Sequence, residues 1–97
     1  MEASEPTEKL LLKSARLELY ELNQIKHAVK NFERVLQINP KNSETHYMLG
    51  FALKDLDQLE RAKLEFAAYL RITPDGEHSQ EVEEALAELE KKPQELK

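Results

Sequence analysis

The chain repeats itself at an offset of 34 residues, and this repeat limits its possible folds more than any other feature. When residues 9–42 are laid over residues 43–76, the identical pairs are Leu19/Leu53, Leu22/Leu56, Gln24/Gln58, Ala28/Ala62, Phe32/Phe66, Leu36/Leu70, Ile38/Ile72 and Pro40/Pro74. Almost all of these are apolar or turn-forming residues, whereas most polar positions differ. The pattern predicts two copies of one structural unit.

Within each unit, apolar residues recur three and four residues apart in two segments, which is the spacing of amphipathic helices. In the first unit these residues are Leu12, Ala15, Leu19, Leu22, and then Ile25, Ala28, Phe32, Val35, Leu36. In the second unit they are Leu49, Leu53, Leu56, and then Leu59, Ala62, Phe66, Tyr69, Leu70. We expect these residues to form the core.

Turn and cap residues mark the ends of the predicted helices. Asn23 and Asp57 separate the two helices of each unit, and after glycine these side chains best tolerate the positive φ that a short turn needs. Pro40 and Pro74 should stop the second helix of each unit. A side chain of the Asn42–Ser43 pair can cap the helix that follows.

The period and the motif resemble those of the tetratricopeptide repeat, whose unit carries a W-x₂-L-G-x₂-Y … A-x₃-F … P pattern. The second unit carries this pattern at His46, Leu49, Gly50, Leu53, Ala62, Phe66 and Pro74. The first unit is degenerate, with Leu12, Ala15, Arg16 and Leu19 in the first block and Ala28, Phe32 and Pro40 in the second. The resemblance implies an all-α, right-handed helical-repeat fold.

A further amphipathic segment follows the second unit. Val82, Ala85, Leu86 and Leu89 share one face among acidic and basic residues, as expected of a helix that caps the core of a repeat array. Pro93 should end it. We therefore predict five helices, divided as a tail or helix start (1–8), repeat 1 (9–42), repeat 2 (43–76), a capping helix (77–92) and a tail (93–97).

The composition argues against an enzyme or a cofactor-binding protein. With no cysteine there is neither a thiol nucleophile nor a zinc knuckle, and two glycines cannot form a phosphate-cradling loop. His27, His46 and His78 lie in separate segments without the spacing of metal ligands. We expect no catalytic residue, no metal and no cofactor, and we expect His46 to be a partly buried space-filling residue.

Charge and hydropathy bear on whether the chain binds nucleic acid or enters a membrane. The net charge of −5 argues against nucleic acid, and Lys26, Lys30 and Arg34 are expected to form a solvated helix face. No apolar run approaches the roughly 20 residues of a membrane span, and no secretory signal follows Met1. We expect no membrane insertion and favour a cytoplasmic location, although the residues do not identify the compartment. Self-association is left open.

The first helix of each unit carries apolar residues beyond its core stripe. The resemblance implies that these helices line a concave groove that receives a peptide or helix of another protein. The matching groove positions are Leu10, Lys13, Leu17, Tyr20, Tyr47, Phe51 and Lys54. Two alternatives remain. Packing between the repeats, or the N-terminal tail folding back, buries these residues; or Leu64, Ala67 and Ala68 on the convex face act with the capping helix in self-association or interdomain docking.

A subset of the family grips a C-terminal carboxylate with a clamp of Lys, Asn, Asn, Lys and Arg. Here Lys13 fits one clamp position, but Leu17, Met48, His78 and Val82 occupy the others. Charge-assisted hydrogen bonds to a carboxylate therefore cannot be assembled. We expect a partner to be bound mainly through apolar side chains.

Overall fold

The computed structural model describes the backbone of residues 4–95 and the side chains of residues 7–91. Its helices are α1 (Ser4–Tyr20), α2 (Ile25–Ile38), α3 (Ser43–Asp55), α4 (Leu59–Ile72) and α5 (Ser79–Glu95). No strand occurs among the described residues. The predicted all-α, five-helix fold is confirmed.

Each helix packs on the next one along the chain: α1 on α2, α2 on α3, α3 on α4 and α4 on α5. The molecule is elongated, with extents of 52 × 29 × 19 Å. Packing between sequence neighbours is the arrangement of a helical-repeat array, in which each unit contacts mainly the units beside it.

The predicted turn residues lie where the chain reverses. Asn23 and Asp57 have positive φ values of 55° and 64°, in the left-handed region that these side chains tolerate. The helices α2 and α4 end two residues before Pro40 and Pro74 respectively. Asn42 caps α3, because its side-chain oxygen accepts a hydrogen bond from the Thr45 N–H at 3.0 Å.

One core cluster runs through both repeats and into α5. Phe32 and Phe66 are fully buried, and Leu49 and Leu53 lie on α3, which packs against both α2 and α4. Further buried members are Ala15, Ala28, Val29, Met48, Ala52, Ala62, Tyr69, Val82, Ala85 and Leu89. The predicted core residues at the edge of the cluster are half-buried against it: Leu12, Leu19, Ile25, Leu36, Leu56, Leu59, Leu70 and Leu86.

Gly50 makes the close contact between α3 and α4 possible. A Cβ atom at this position would lie 2.5 Å from Cε1 of Phe66, well inside van der Waals contact. The equivalent position in repeat 1 is Arg16, which is exposed, so the crossing of α1 and α2 does not need a small residue there. This explains why repeat 1 tolerates its departure from the motif.

The prediction that Leu22 belongs to the core is wrong. Helix α1 ends at Tyr20, so Leu22 lies in the turn before α2 and is exposed. The equivalent Leu56 is half-buried and packs against the core cluster. In repeat 1 the helical spacing of apolar residues continues to Leu22, two residues beyond the end of α1.

Helix α5 is longer than the sequence predicts, and α1 begins within the segment assigned to a tail or helix start. Helix α1 begins at Ser4 and includes Pro6, which is tolerated because N–H groups in the first turn have no intrahelical partner. Helix α5 does not end at Pro93 but runs to Glu95. Only two residues follow this proline in α5, so little of the backbone hydrogen bonding is lost. The tail predictions for 1–3 and 96–97 lie outside the described residues.

Candidate protein-binding surface

The predicted groove residues lie on two helices, α1 and α3. We call this set the α1–α3 surface; its members are Leu10, Lys13, Leu17, Tyr20, Tyr47, Phe51 and Lys54. Spacings of three and four residues place each helix's members on one face. The two helices meet where Tyr20 lies close enough to Tyr47 for an electrostatic interaction, and where Arg16 pairs with Glu44 at 3.3 Å.

The α1 half of this surface is open. Leu10, Leu17 and Tyr20 keep 64%, 49% and 63% of their surface accessible, although all three are large apolar or aromatic residues. Packing between the repeats therefore does not bury them. They form an apolar strip along α1 with the Lys13 ammonium among them.

The α3 half is partly covered by α5. The Tyr47 ring stacks on the His78 ring at a centroid distance of 3.9 Å and lies 5.4 Å from the Phe51 ring, edge to face. The Tyr47 hydroxyl donates a hydrogen bond to the Glu81 carboxylate at 3.0 Å. The capping helix thus occupies part of the area that the sequence assigns to a partner.

Phe51 is half-buried, as Tyr47 is, and links the surface to the core. Its ring meets the buried Phe66 ring edge to face at 4.8 Å, and the Lys54 Nζ lies 5.9 Å from the Phe51 centroid. Beside them, a cleft of about 430 Å³ separates α3 from α5. Its α5 side carries Glu81, Glu84, Glu88 and Lys91, and Lys54 lines its α3 side, so this end of the surface carries charges of both signs.

The two tyrosines stay protonated at neutral pH. Burial, reinforced by the hydrogen bond to Glu81, raises the pKa of Tyr47 to about 12. Partial burial likewise raises the pKa of Tyr20, and the nearby Arg16 guanidinium opposes that shift. The centre of the α1–α3 surface therefore offers neutral phenol groups rather than charges.

His46 has a role that the sequence reasoning missed. Its Nδ1 lies 2.7 Å from the Glu65 carboxylate and its Nε2 lies 2.8 Å from the Pro40 carbonyl oxygen. Both neighbours are acceptors, so the ring satisfies both only as an imidazolium that donates twice. The hydrogen bond to Glu65 is the main cause that raises the pKa of His46. The ring fills space as expected, and it also ties α3 to α4; no local sequence signal links it to Glu65.

The part of the chain that the structure describes gives no evidence for a metal site, a membrane-spanning helix or a carboxylate clamp. No group of three His, Cys, Asp or Glu side chains is placed to hold a metal ion there. None of the described helices has the length and apolar character that a membrane crossing requires. Two of the clamp positions, Met48 and Val82, are buried.

A family model described as tetratricopeptide repeat matches residues 19–89, from the end of α1 to within α5. A search of curated proteins returns no match.

Proposed function

Because this chain belongs to the tetratricopeptide repeat family, we propose that it binds a peptide or helix of another protein on the α1–α3 surface and performs no chemistry. Tetratricopeptide repeats generally mediate protein–protein interaction and are typically not catalytic. The module acts as a scaffold or adaptor. With a net charge of −5, its partner is a protein rather than a nucleic acid.

The observation that supports this proposal is the exposed strip of Leu10, Leu17 and Tyr20. An exposed, contiguous apolar surface is typical of interaction sites, and aromatic anchors supply much of the binding energy at such sites. The strip lies on one helix that packs against α2, so the backbone that carries its side chains is fixed before binding. A preformed surface of this kind loses little conformational entropy when a partner binds.

Capture of a partner with the purified domain, followed by calorimetry, tests the proposal. Leu17→Ala and Tyr20→Ala should each weaken binding about thirtyfold, since an anchor residue contributes about 2 kcal/mol or more. Tyr47→Ala and Phe51→Ala should have a similar effect, but they also remove contacts to α5 or Phe66. The two exposed residues on α1 therefore give the cleaner result.

Leu64→Ala on α4 is the matched control, because Leu64 is 70% exposed and lies outside the α1–α3 surface. Far-ultraviolet circular dichroism should show that every variant keeps its helical content. If Leu64→Ala abolished binding while the α1 variants bound normally, the proposal would be wrong.

The exposure of Leu64 also favours a second candidate function, self-association or interdomain docking through the convex face. Ala68 cannot contribute to that surface as expected, because it is buried, and Ala67 is half-buried. Light scattering over a concentration series separates the candidates. A dimer that Leu64→Glu dissociates would favour the convex face, whereas a monomer at high concentration would favour the α1–α3 surface.

A further inference from the structure

The apolar strip on α1 has the geometry of a docking edge for one other helix. Leu10, Lys13, Leu17 and Tyr20 are spaced three, four and three residues apart, which is the spacing of the seam in helix-on-helix packing. At a rise of about 1.5 Å per residue the strip is about 15 Å long, or three helical turns. A partner helix of similar length can lie along it.

Basic side chains accompany this strip on one side. Lys9, Lys13 and Arg16 line an open cleft of about 460 Å³ together with Leu12. Neither lysine forms an ion pair with any residue that the structure describes. Arg16 reaches Glu44 at 3.3 Å, but both side chains are about half exposed, so a second carboxylate can approach it.

The two carboxylates of α1 whose side chains the structure describes, those of Glu8 and Glu18, bind amide groups away from the strip. Glu8 accepts hydrogen bonds from the side-chain amides of Asn39 and Asn42 at 3.0 and 2.9 Å. Glu18 accepts one from the Asn31 amide of α2 at 2.9 Å. Within residues 7–20, the acidic groups therefore face the α2 side and the cations stay beside the strip.

We propose that the element bound on α1 is an acidic amphipathic helix. Its apolar edge would lie on Leu10, Leu17 and Tyr20, and its flanking carboxylates would pair with Lys9 and Lys13. This inference rests on the proposed function and specifies the partner's chemistry. At the α5 end, Glu84 and Glu88 disfavour such a helix, but Lys54 and Lys91 line the same cleft, so α1 is favoured mainly by its exposed apolar strip with Lys9 and Lys13 beside it.

Two synthetic helical peptides provide the test. Both carry leucine at the seam positions, and one has glutamate and the other lysine at every flanking position. Binding to the intact chain is measured by calorimetry at low and physiological salt, and the site is mapped by amide chemical shifts. The glutamate peptide should bind at least tenfold more tightly at low salt, with the largest shifts along α1, and high salt should reduce the difference.

Variants of the chain sharpen the result. Leu17→Ala should weaken binding of the glutamate peptide about tenfold, and Lys13→Glu about threefold to tenfold at low salt. Lys26→Glu on the exposed side of α2 is the matched control and should leave binding unchanged.

The inference is wrong if the lysine peptide binds as well as the glutamate peptide, if neither binds, or if the shifts map to α3 and α5. It is also wrong if a second copy of the chain occupies α1, seen as concentration-dependent dimerisation that Leu17→Ala removes. A natural partner that lacks acidic residues but is still weakened by Leu17→Ala would refute this inference alone. If Leu64→Ala rather than Leu17→Ala weakened that partner, the proposed function would fail as well.

Discussion

Repeats 1 and 2 share their interior and differ on the outside of their first helices. Phe32 and Phe66 occupy equivalent positions and are both fully buried. On the first helices, Leu17 of α1 is exposed, whereas the equivalent Phe51 of α3 meets the Phe66 ring at 4.8 Å. The same 34-residue unit can therefore present its first helix to solvent or cover it, depending on what packs beside it.

The reason for this difference is the number of neighbours. Helix α3 packs against α2 and α4, and its Tyr47 side chain also stacks on His78 in the turn before α5 and donates a hydrogen bond to Glu81 of α5. Helix α1 packs chiefly against α2, so its apolar strip has no comparable cover in the described part of the chain. A surface available for binding is thus expected mainly on α1.

Truncation of the phenylalanine that occupies the same position in both repeats should give the largest loss of stability. Phe66→Ala should lower the free energy of unfolding by about 3–5 kcal/mol, because it leaves a cavity in the core. Phe32→Ala should cost less, because repeat 1 has no ring equivalent to Phe51 against it. Urea denaturation measures both. Equal losses would mean that the aromatic contact in repeat 2 adds nothing.

Alanine at the equivalent positions Gly50 and Arg16 should give contrasting results. Gly50→Ala places a Cβ atom 2.5 Å from the buried Phe66 ring and should destabilise the domain by about 1–3 kcal/mol. Arg16→Ala removes only an exposed ion pair with Glu44, so its effect should stay within about 0.5 kcal/mol. If thermal unfolding showed similar losses for both, the close contact of α3 and α4 would not depend on glycine.

Stability should depend on pH through His46 of repeat 2, whose equivalent in repeat 1 is Leu12. The folded state raises the pKa of His46 above its ordinary value of 6.5, so the proton stabilises the fold below about pH 6.5. This contribution is lost as the pH rises through the folded-state pKa. The free energy of unfolding should therefore fall with pH across this window in the unmodified chain.

The variant His46→Leu, which copies repeat 1, should remove this pH dependence, and Glu65→Gln should reduce it. Denaturant unfolding at a series of pH values provides the comparison, since other titrating groups contribute equally to each variant. If the free energy of unfolding of His46→Leu depended on pH as it does in the unmodified chain, another group would be responsible for that dependence.

Loss of the hydroxyl that links α3 to α5 should have a smaller effect on stability than the changes at Phe66 and Gly50. Tyr47→Phe removes the hydrogen bond to Glu81 and should cost about 0.5–1.5 kcal/mol, with faster amide hydrogen exchange in α5. Lys13→Ala, at the equivalent position of α1, should leave stability unchanged because Lys13 forms no ion pair with the described residues. A stabilising Tyr47→Phe variant would show that this bond does not hold the capping helix.

Local rules accounted for most of the fold. Asn23 and Asp57 were identifiable because few residues tolerate positive φ, and Phe32 and Phe66 because their spacing is that of a buried helix face. The error at Leu22 arose because periodicity does not show where a helix ends. The end of α5 was missed because Pro93 lies in its last turn, where the helix continues to Glu95 although one backbone hydrogen bond is lost.

The sequence by itself determined the repeat period, the turns and the buried face of each helix, since these depend on neighbours three, four or thirty-four residues away. Only the tertiary structure decided which apolar residues remain accessible. Leu17 and Phe51 have the same local pattern, yet contact with α4 buries Phe51 far more than Leu17. The ion pair of His46 with Glu65 was equally hidden, because it depends on the packing of α3 against α4, which local spacing does not encode.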